Sequence, residues 1–236
     1  MKLKVNYENQ EIDFSIIRRK RKTICIKIME DGEVIVSAPL RISKESILLV
    51  VKNRAHWIIE KQKEIKLRSS RKIKRIFTDG STLMYLGKEY PMYIVLEENR
   101  RKITVELNGN FEIFTNTMVE EKLRAALEKW YRTETLKIVT KRIENYSNNF
   151  TDKVTDVKVK EQKRRWASCT WKNSILFNWR ISMARADVID YIVIHEMCHM
   201  DYRNHSKCFW NRVAEIMPDY KEKHEWLKIN GMNLYL

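Results

Sequence analysis

The sequence has no apolar stretch that could cross a bilayer and no apolar leader at its amino end. Its longest aliphatic run covers only Ile47 to Val51, whereas a membrane-spanning helix needs about 20 apolar residues. The opening residues mix apolar with charged and polar side chains, unlike the apolar core of a secretory signal. We therefore expect a cytoplasmic protein with no membrane partner.

Cysteine is scarce and occurs without any Cys-x-x-Cys pair. The four residues are Cys25, Cys169, Cys198 and Cys208. Disulfide frameworks and thiolate zinc knuckles both need clustered cysteines, so the pattern indicates reduced thiols, with Cys198 packed rather than ligating. The chain also lacks a glycine-rich phosphate loop, a carboxylate cluster for magnesium, a recognisable nucleic-acid module and visible internal repeats.

Aromatic and basic residues are plentiful. Hydrophobic residues make up 44% of the 236 residues and include seven Trp, ten Tyr and seven Phe, which indicates a globular protein of one large or two small domains. The net charge of +15 is concentrated in three clusters, at Arg18–Lys22, Lys66–Arg75 and Lys158–Arg165. These clusters fit either association with nucleic acid or solvated hairpin tips and linkers.

The pattern of elements predicts an α+β fold in two domains, residues 1–75 and 76–236. Four alternating segments before Pro39 predict a small antiparallel β-meander, and Ser43 is the expected N-cap of a following helix. Residues 61–75 are interpreted as a basic linker. Strands are then predicted at 83–86, 90–96, 103–107 and 111–114, followed by a long core helix that begins with a capping box formed by Thr117 and Glu120. Further strands at 154–159 and 175–179 are expected to flank a loop at 162–171.

Three of the five histidines lie within residues 195–205, at a spacing that predicts a zinc site. His195 and His199 are one helical turn apart, so both imidazoles can reach one ion, and Glu196 lies beside them. On a continuing helix His205 would point about 240° away from the other two. The helix must therefore end first. Asn204 is the expected left-handed stop, and Ser206 is the expected cap of the next helix.

Five ordered motifs strengthen this interpretation. They read Arg165-Trp166-x-Ser168-Cys169, Leu176-x-Asn178-Trp179-Arg180, Val188-Ile189-Asp190-Tyr191-x-Val193, His195-Glu196-x-x-His199 and Asn204-His205-Ser206-x-x-Phe209-Trp210. The set closely resembles the YgjP-like metallopeptidase domain family, a zincin-type group of metal-dependent hydrolases related in fold to SprT-like and WLM proteases. The resemblance covers almost the whole chain. Ala167 stands where the family usually has Gly, which leaves the zinc site unaffected.

The resemblance implies a zincin-like catalytic domain with a mixed or antiparallel sheet, a long backing helix and a metal-binding helix. It also implies that His195, His199 and His205 hold one Zn2+ per chain. Glu196 is then the catalytic acid and base, which activates metal-bound water for attack on a peptide bond. A protein or peptide substrate would lie in extended form along the strand at 175–179.

Other residues are weaker candidates for the site. Arg165, Arg180 and Tyr202 could contact the substrate or a developing oxyanion, although a structural or surface role is the stronger expectation for each. Asp201, Glu215 and Asp219 could orient a ligand histidine, and nothing in the sequence chooses among them.

Two alternative functions stay open. One is a metal-dependent nucleotide phosphohydrolase, because some relatives are described as UTP pyrophosphatases and the loop at Arg164-Arg165 could hold phosphates. The other is a DNA-associated protease whose basic N-terminal region brings the catalytic domain to its substrate. The substrate, the cleavage preference and the oligomeric state do not follow from the sequence.

Overall fold

The computed structural model describes residues 2–8, 10–29, 31–70, 77–162 and 164–236. Contacts divide the chain into two compact units, Met1–Lys72 and Ile73–Leu236. The predicted domain boundary after residue 75 lies outside the described residues. Within the described residues, no helix is both long and apolar enough to span a membrane.

The first unit has a four-stranded mixed sheet and two helices. Its elements are β1 (Lys2–Tyr7), β2 (Gln10–Arg19), β3 (Cys25–Ile28), β4 (Val34–Pro39), α1 (Lys44–Asn53) and α2 (Ala55–Ser70). The strand order is β1-β2-β4-β3, and β2 runs parallel to β4 while the other pairs are antiparallel. The α+β class is confirmed. The parallel pair is a departure from a simple antiparallel meander.

The first helix of this unit begins as predicted, and the second continues into the segment that was predicted to be a linker. The Ser43 hydroxyl accepts a hydrogen bond from the Ser46 backbone N–H, which confirms the expected N-cap. The linker predicted at 61–75 is wrong for its first part, because α2 continues to Ser70. Long basic side chains are good helix formers, so a basic composition alone does not distinguish a solvated helix from a linker.

The second unit contains two mixed sheets and four α-helices among the described residues. The larger sheet, in the order β5-β6-β8-β7, is built from β5 (Thr82–Tyr85), β6 (Lys88–Leu96), β7 (Thr104–Leu107) and β8 (Phe111–Thr115). The smaller sheet, in the order β10-β11-β9, is built from β9 (Asp156–Lys160), β10 (Ala167–Cys169) and β11 (Ser174–Asn178). The helices are α3 (Glu120–Tyr146), α4 (Ala186–Asp201), α5 (Lys207–Ile216) and α6 (Tyr220–Asn230).

The two four-stranded sheets have the same topology, which the sequence did not reveal as a repeat. Each has two hairpins whose inner strands pair in parallel, and each is followed by a helix. The first hairpins turn at equivalent places, where Glu8 and Leu86 both have a positive φ. Buried parallel partners also correspond, as Phe14 opposite Val34 matches Met92 opposite Phe111. The pattern of buried positions is therefore repeated between the two sheets, whereas the residues at those positions differ.

Helix α3 supports the element that leads into the candidate site. Its buried face includes Leu123, Leu127 and Tyr131, as its helical periodicity predicted. The Thr135 hydroxyl donates to the Trp179 carbonyl at 2.7 Å and lies 2.9 Å from the Ser182 hydroxyl. These buried bonds anchor the 3₁₀ turn Trp179–Met183, which connects β11 to α4. A rigid support for α4 follows from this network.

The capping box predicted for α3 is wrong. The helix begins at Glu120 with Val119 at the cap position, and no side chain caps it. The Thr117 hydroxyl instead accepts from the Val119 backbone N–H at 3.2 Å, which forms a local turn before the helix.

Candidate metal centre

Helix α4 carries two of the three predicted ligands in the interior of the second unit. It contacts α3, α5, α6 and β10, and Val188 to Ile194 along it are buried except the half-buried Asp190. His195 and His199 are half-buried, and Glu196 is 6% exposed. A helix that is apolar nearly all round is packed on several sides. Its imidazoles and its carboxylate are therefore held rigidly.

The third histidine comes from the segment between α4 and α5. His195 Nε2 lies 3.0 Å from His205 Nε2, and one ligand nitrogen from each of the three histidines lies within 4.8 Å of the others. Tetrahedral zinc with Zn–N bonds of about 2.0–2.1 Å separates its ligand nitrogens by about 3.3 Å. The three imidazoles therefore fit a single ion after small rotations.

The helix break that the sequence predicted is real, but its mechanism differs. Helix α4 ends at Asp201, and Tyr202 follows in an extended conformation. Asn204 does not have a positive φ, so the left-handed stop is wrong. Its side chain instead accepts a hydrogen bond from the Ser206 N–H at 3.1 Å. Ser206 occupies the cap position of α5, but its hydroxyl makes no capping bond.

Aromatic packing also orients the histidines. The buried Phe209 ring contacts all three imidazoles, with centroid distances of 4.9 Å to His195, 4.6 Å to His199 and 4.8 Å to His205. The Trp210 ring lies 5.6 Å from His195 and 5.7 Å from His205. The first turn of α5 therefore packs against one side of the histidine cluster.

Hydrogen bonds fix one tautomer and leave other atoms free. His199 Nδ1–H donates to the Tyr202 carbonyl at 3.1 Å, which leaves Nε2 as an acceptor for a metal. Among the described residues, neither His195 Nδ1 nor Glu196 Oε2 has a hydrogen-bond partner although both atoms are buried. Orphaned buried polar atoms are costly. Their presence beside three convergent imidazoles is typical of a site for an additional group.

The electrostatics favour neutral imidazoles. Burial, with a smaller contribution from the neighbouring histidines, lowers the pKa of His195 to about 3. Burial also lowers the pKa of His199. In the metal-free chain both rings are therefore neutral at pH 7, the form that binds a metal.

The pKa of Glu196 is shifted in the opposite direction. Burial raises its pKa to about 7, against a hydrogen bond from the Cys169 backbone and the charge of Arg165, which both lower it. A carboxyl group tuned close to neutrality can both accept and release a proton.

The three weaker candidates for the site have different surroundings in the structure. Arg165 lies close enough to Glu196 to affect its pKa. Arg180 is ion-paired with Glu161 and lies over the Trp179 ring, so its described contacts are structural. Tyr202 contributes its carbonyl to His199, while its side chain is 40% exposed.

The three carboxylates proposed to orient a histidine are paired with cations instead. Asp201 and Glu215 both pair with Arg212, at 2.9 and 2.8 Å, and Asp219 pairs with Lys223. None of the described contacts joins them to the cluster.

Two contributors were missed in the sequence. The loop predicted at 162–171 contains β10, whose Cys169 backbone reaches Glu196. Arg203 donates from Nη1 to the Thr170 carbonyl at 2.9 Å and from Nη2 to Asn173 Oδ1 at 2.5 Å. It therefore connects the His205 segment to the β10–β11 turn. No spacing pattern identifies such an arginine. The three-residue length of β10 gives too little alternation to detect.

The strand that was expected to hold a peptide substrate is not an edge strand. Strand β11, which was expected to hold a peptide, lies between β10 and β9 and has both edges paired. The strand available at this edge is β10.

Comparison with known proteins agrees with this geometry. No curated protein matches the chain significantly. The model of the YgjP-like metallopeptidase domain matches residues 22–230, a span that includes every residue of the cluster. The match supports a metal-dependent hydrolase, and the chain belongs to the YgjP-like metallopeptidase domain family.

Proposed function

We propose that the protein is a zinc-dependent peptidase that cleaves an extended polypeptide. The observation that carries the proposal is the convergence of three imidazoles beside Glu196, a buried carboxylate with an unpartnered oxygen. His195, His199 and His205 would hold the ion. When bound, zinc would act as a Lewis acid that lowers the pKa of water and polarises the peptide carbonyl.

Glu196 is proposed as the proton carrier. Its carboxylate would take a proton from the attacking water and release it to the leaving amine. The backbone N–H of Cys169 and the charge of Arg165 favour the ionised carboxylate that the first of these steps needs, because both lower its pKa against the effect of burial. Phe209 and the buried length of α4 exclude bulk water from the inner side of the site.

The decisive experiment compares Glu196→Gln with wild-type protein. We expect the variant to keep its zinc, measured by elemental analysis, and its circular dichroism, because Gln has nearly the same shape. Cleavage of denatured casein should fall by about a hundredfold or more, since Gln cannot accept a proton. Glu222→Gln is the matched control, because the Glu222 side chain is 81% exposed. Unchanged turnover in Glu196→Gln would contradict the assigned role.

The same assay addresses the nucleotide alternative. Arg165 provides a positive charge beside Glu196 that a phosphate could contact. UTP and the other nucleoside triphosphates are therefore tested with the same variants. Release of pyrophosphate that depends on Glu196, without any cleavage of casein, would replace the peptidase proposal.

Association with nucleic acid stays a prediction, but fewer residues of the Arg18–Lys22 cluster are available for it. Arg18 Nη1 donates to the carbonyls of Pro39, Leu40 and Ile42, so this arginine has a structural role. Arg18, Arg19, Lys20 and Lys22 are all exposed, and the last three are the ones tested for contact with nucleic acid. A triple Ala variant of these three should lose salt-dependent DNA affinity if the interpretation is correct.

A further inference from the structure

We propose that Trp171 forms a binding subsite for a large apolar side chain of a peptide lying along the outer edge of β10. The inference rests on the proposed peptidase function and adds a substrate preference to it. It is carried by three independent observations: an edge of β10 beside Glu196 that pairs with no other described strand, an exposed tryptophan in the turn after it, and an arginine that holds this turn.

The free edge follows from the pairing of β10. The Asn178 N–H donates to the Trp166 carbonyl, and the Thr170 N–H donates to the Ser174 carbonyl. In an antiparallel pair the hydrogen-bonded positions alternate, so Ser168 pairs with β11 while the polar groups of Ala167 and Cys169 point away from it. Within the described part of the chain, no strand pairs with this side of β10. An extended peptide can pair with such an edge through its backbone.

The edge leads directly to the proposed catalytic carboxylate. Of the outward groups, the Cys169 N–H faces Glu196 and lowers its pKa, and β10 packs against α4, which carries Glu196. A peptide paired with the remaining groups would therefore pass beside Glu196 and the histidines. This contact identifies the occupant as the substrate chain.

Trp171 lies just beyond the end of this edge. Its side chain is 78% exposed, more than any other large hydrophobic residue of the described chain. Its one described ring contact is with Lys172 Nζ, 5.1 Å from the ring centroid. An indole left in water offers a large apolar surface, which is the type of group that anchors a partner at an interface.

The turn that carries Trp171 is held on both sides of this residue. Arg203 holds the carbonyl of Thr170 on one side of it and the side chain of Asn173 on the other. Arg203 itself lies between Tyr202 and the His205 segment, so the turn and the histidines are held in one frame. A turn that is already ordered loses little backbone entropy when a ligand binds to it.

The subsite has a defined place along the substrate. Trp171 follows Cys169 by two residues, which span at most about 7 Å. The side chain that meets the indole therefore belongs to a residue one or two positions from the bond beside Glu196. We expect Leu, Met, Phe, Tyr or Trp at that position.

The test uses an array of casein decapeptides probed with zinc-loaded Glu196→Gln protein, which does not require cleavage. We expect peptides with a large apolar residue to bind best. Adding Trp171→Ala should weaken those peptides by about tenfold, and Trp171→Phe should restore most of the loss. Trp57→Ala is the matched control, because Trp57 is a 45% exposed tryptophan of the first unit. Zinc content and circular dichroism verify that each variant is folded.

In parallel, cleavage sites in denatured casein are mapped by mass spectrometry for wild type and Trp171→Ala. An apolar preference at one fixed position that disappears in the variant supports the subsite. The same preference in both proteins overturns the subsite but leaves the peptidase proposal intact. Binding that depends on Trp171, without any cleavage by the wild type, overturns the peptidase proposal alone. Self-association or binding to phosphatidylglycerol vesicles that depends on Trp171, without a peptide preference, would also overturn the subsite.

Discussion

Mild acid should destabilise the metal-free protein through His195. Its pKa is about 3 in the folded chain, because the ring is buried among other histidines, against 6.5 for an unperturbed imidazole. A folded pKa that is lowered gives stability above the unfolded pKa and loses it as the pH falls from 6.5 towards 3. At pH 5 the unfolded ring is mostly protonated while the folded ring is neutral.

The size of the effect follows from these two values. Between pH 7.5 and pH 5 the free energy of unfolding should fall by about 2 kcal/mol from this residue alone. The size is determined by the unfolded pKa, because the folded ring is neutral at pH 5 whenever its pKa is below about 4. The lowered pKa of His199 acts in the same direction.

The assay is urea unfolding in excess EDTA at pH 7.5, 6.0 and 5.0, followed by circular dichroism. His195→Gln removes the titrating group and serves as the reference. We expect wild type to lose about 2 kcal/mol more than this variant between the highest and lowest pH. An equal loss in both proteins would show that the His195 imidazole is protonated in the folded state, and it would refute the electrostatic account of the cluster.

Three further variants test the supports of the site. Asn204→Ala removes the bond to the Ser206 N–H, so zinc affinity in a competition titration should fall without being abolished; unchanged affinity would mean that packing on Phe209 suffices. Arg203→Lys keeps the charge but not the two-armed contact, so KM for casein should rise severalfold at constant zinc content, and an unchanged KM would contradict the clamp. Thr135→Val removes a buried hydroxyl and should lower the free energy of unfolding by about 1 kcal/mol; no loss in urea unfolding would show that the network adds nothing.

The secondary structure was predictable where periodicity is long. Helix α4 carries His195 and His199 one turn apart, as predicted, and the four strands before α3 lie within a few residues of their predicted ranges. These segments have enough alternating or helical repeats to define their type. Strand β10 was missed because three residues cannot show a pattern. The end of α2 was missed because its basic residues suit both a helix and a linker.

The histidine cluster shows, for single residues, the same contrast between what the sequence predicts and what only the structure shows. The two histidines one turn apart are specified by helix geometry alone, so His195 and His199 needed only the sequence. That His205 returns to them required a break, and the sequence located the break correctly. How the chain turns there was not readable. It depends on the Asn204 side chain and on the Phe209 ring, which contacts all three imidazoles.

The sequence by itself determined the α+β class, the family and the residues that can bind a metal, because these depend on local spacing and on residue chemistry. Only the tertiary structure decided which strand edge is open, that Glu196 is buried with a raised pKa, and that Arg203 fixes the turn that presents Trp171. Each of these results from contacts between segments distant in the chain. Such contacts arise when the core packs, and no local pattern records them.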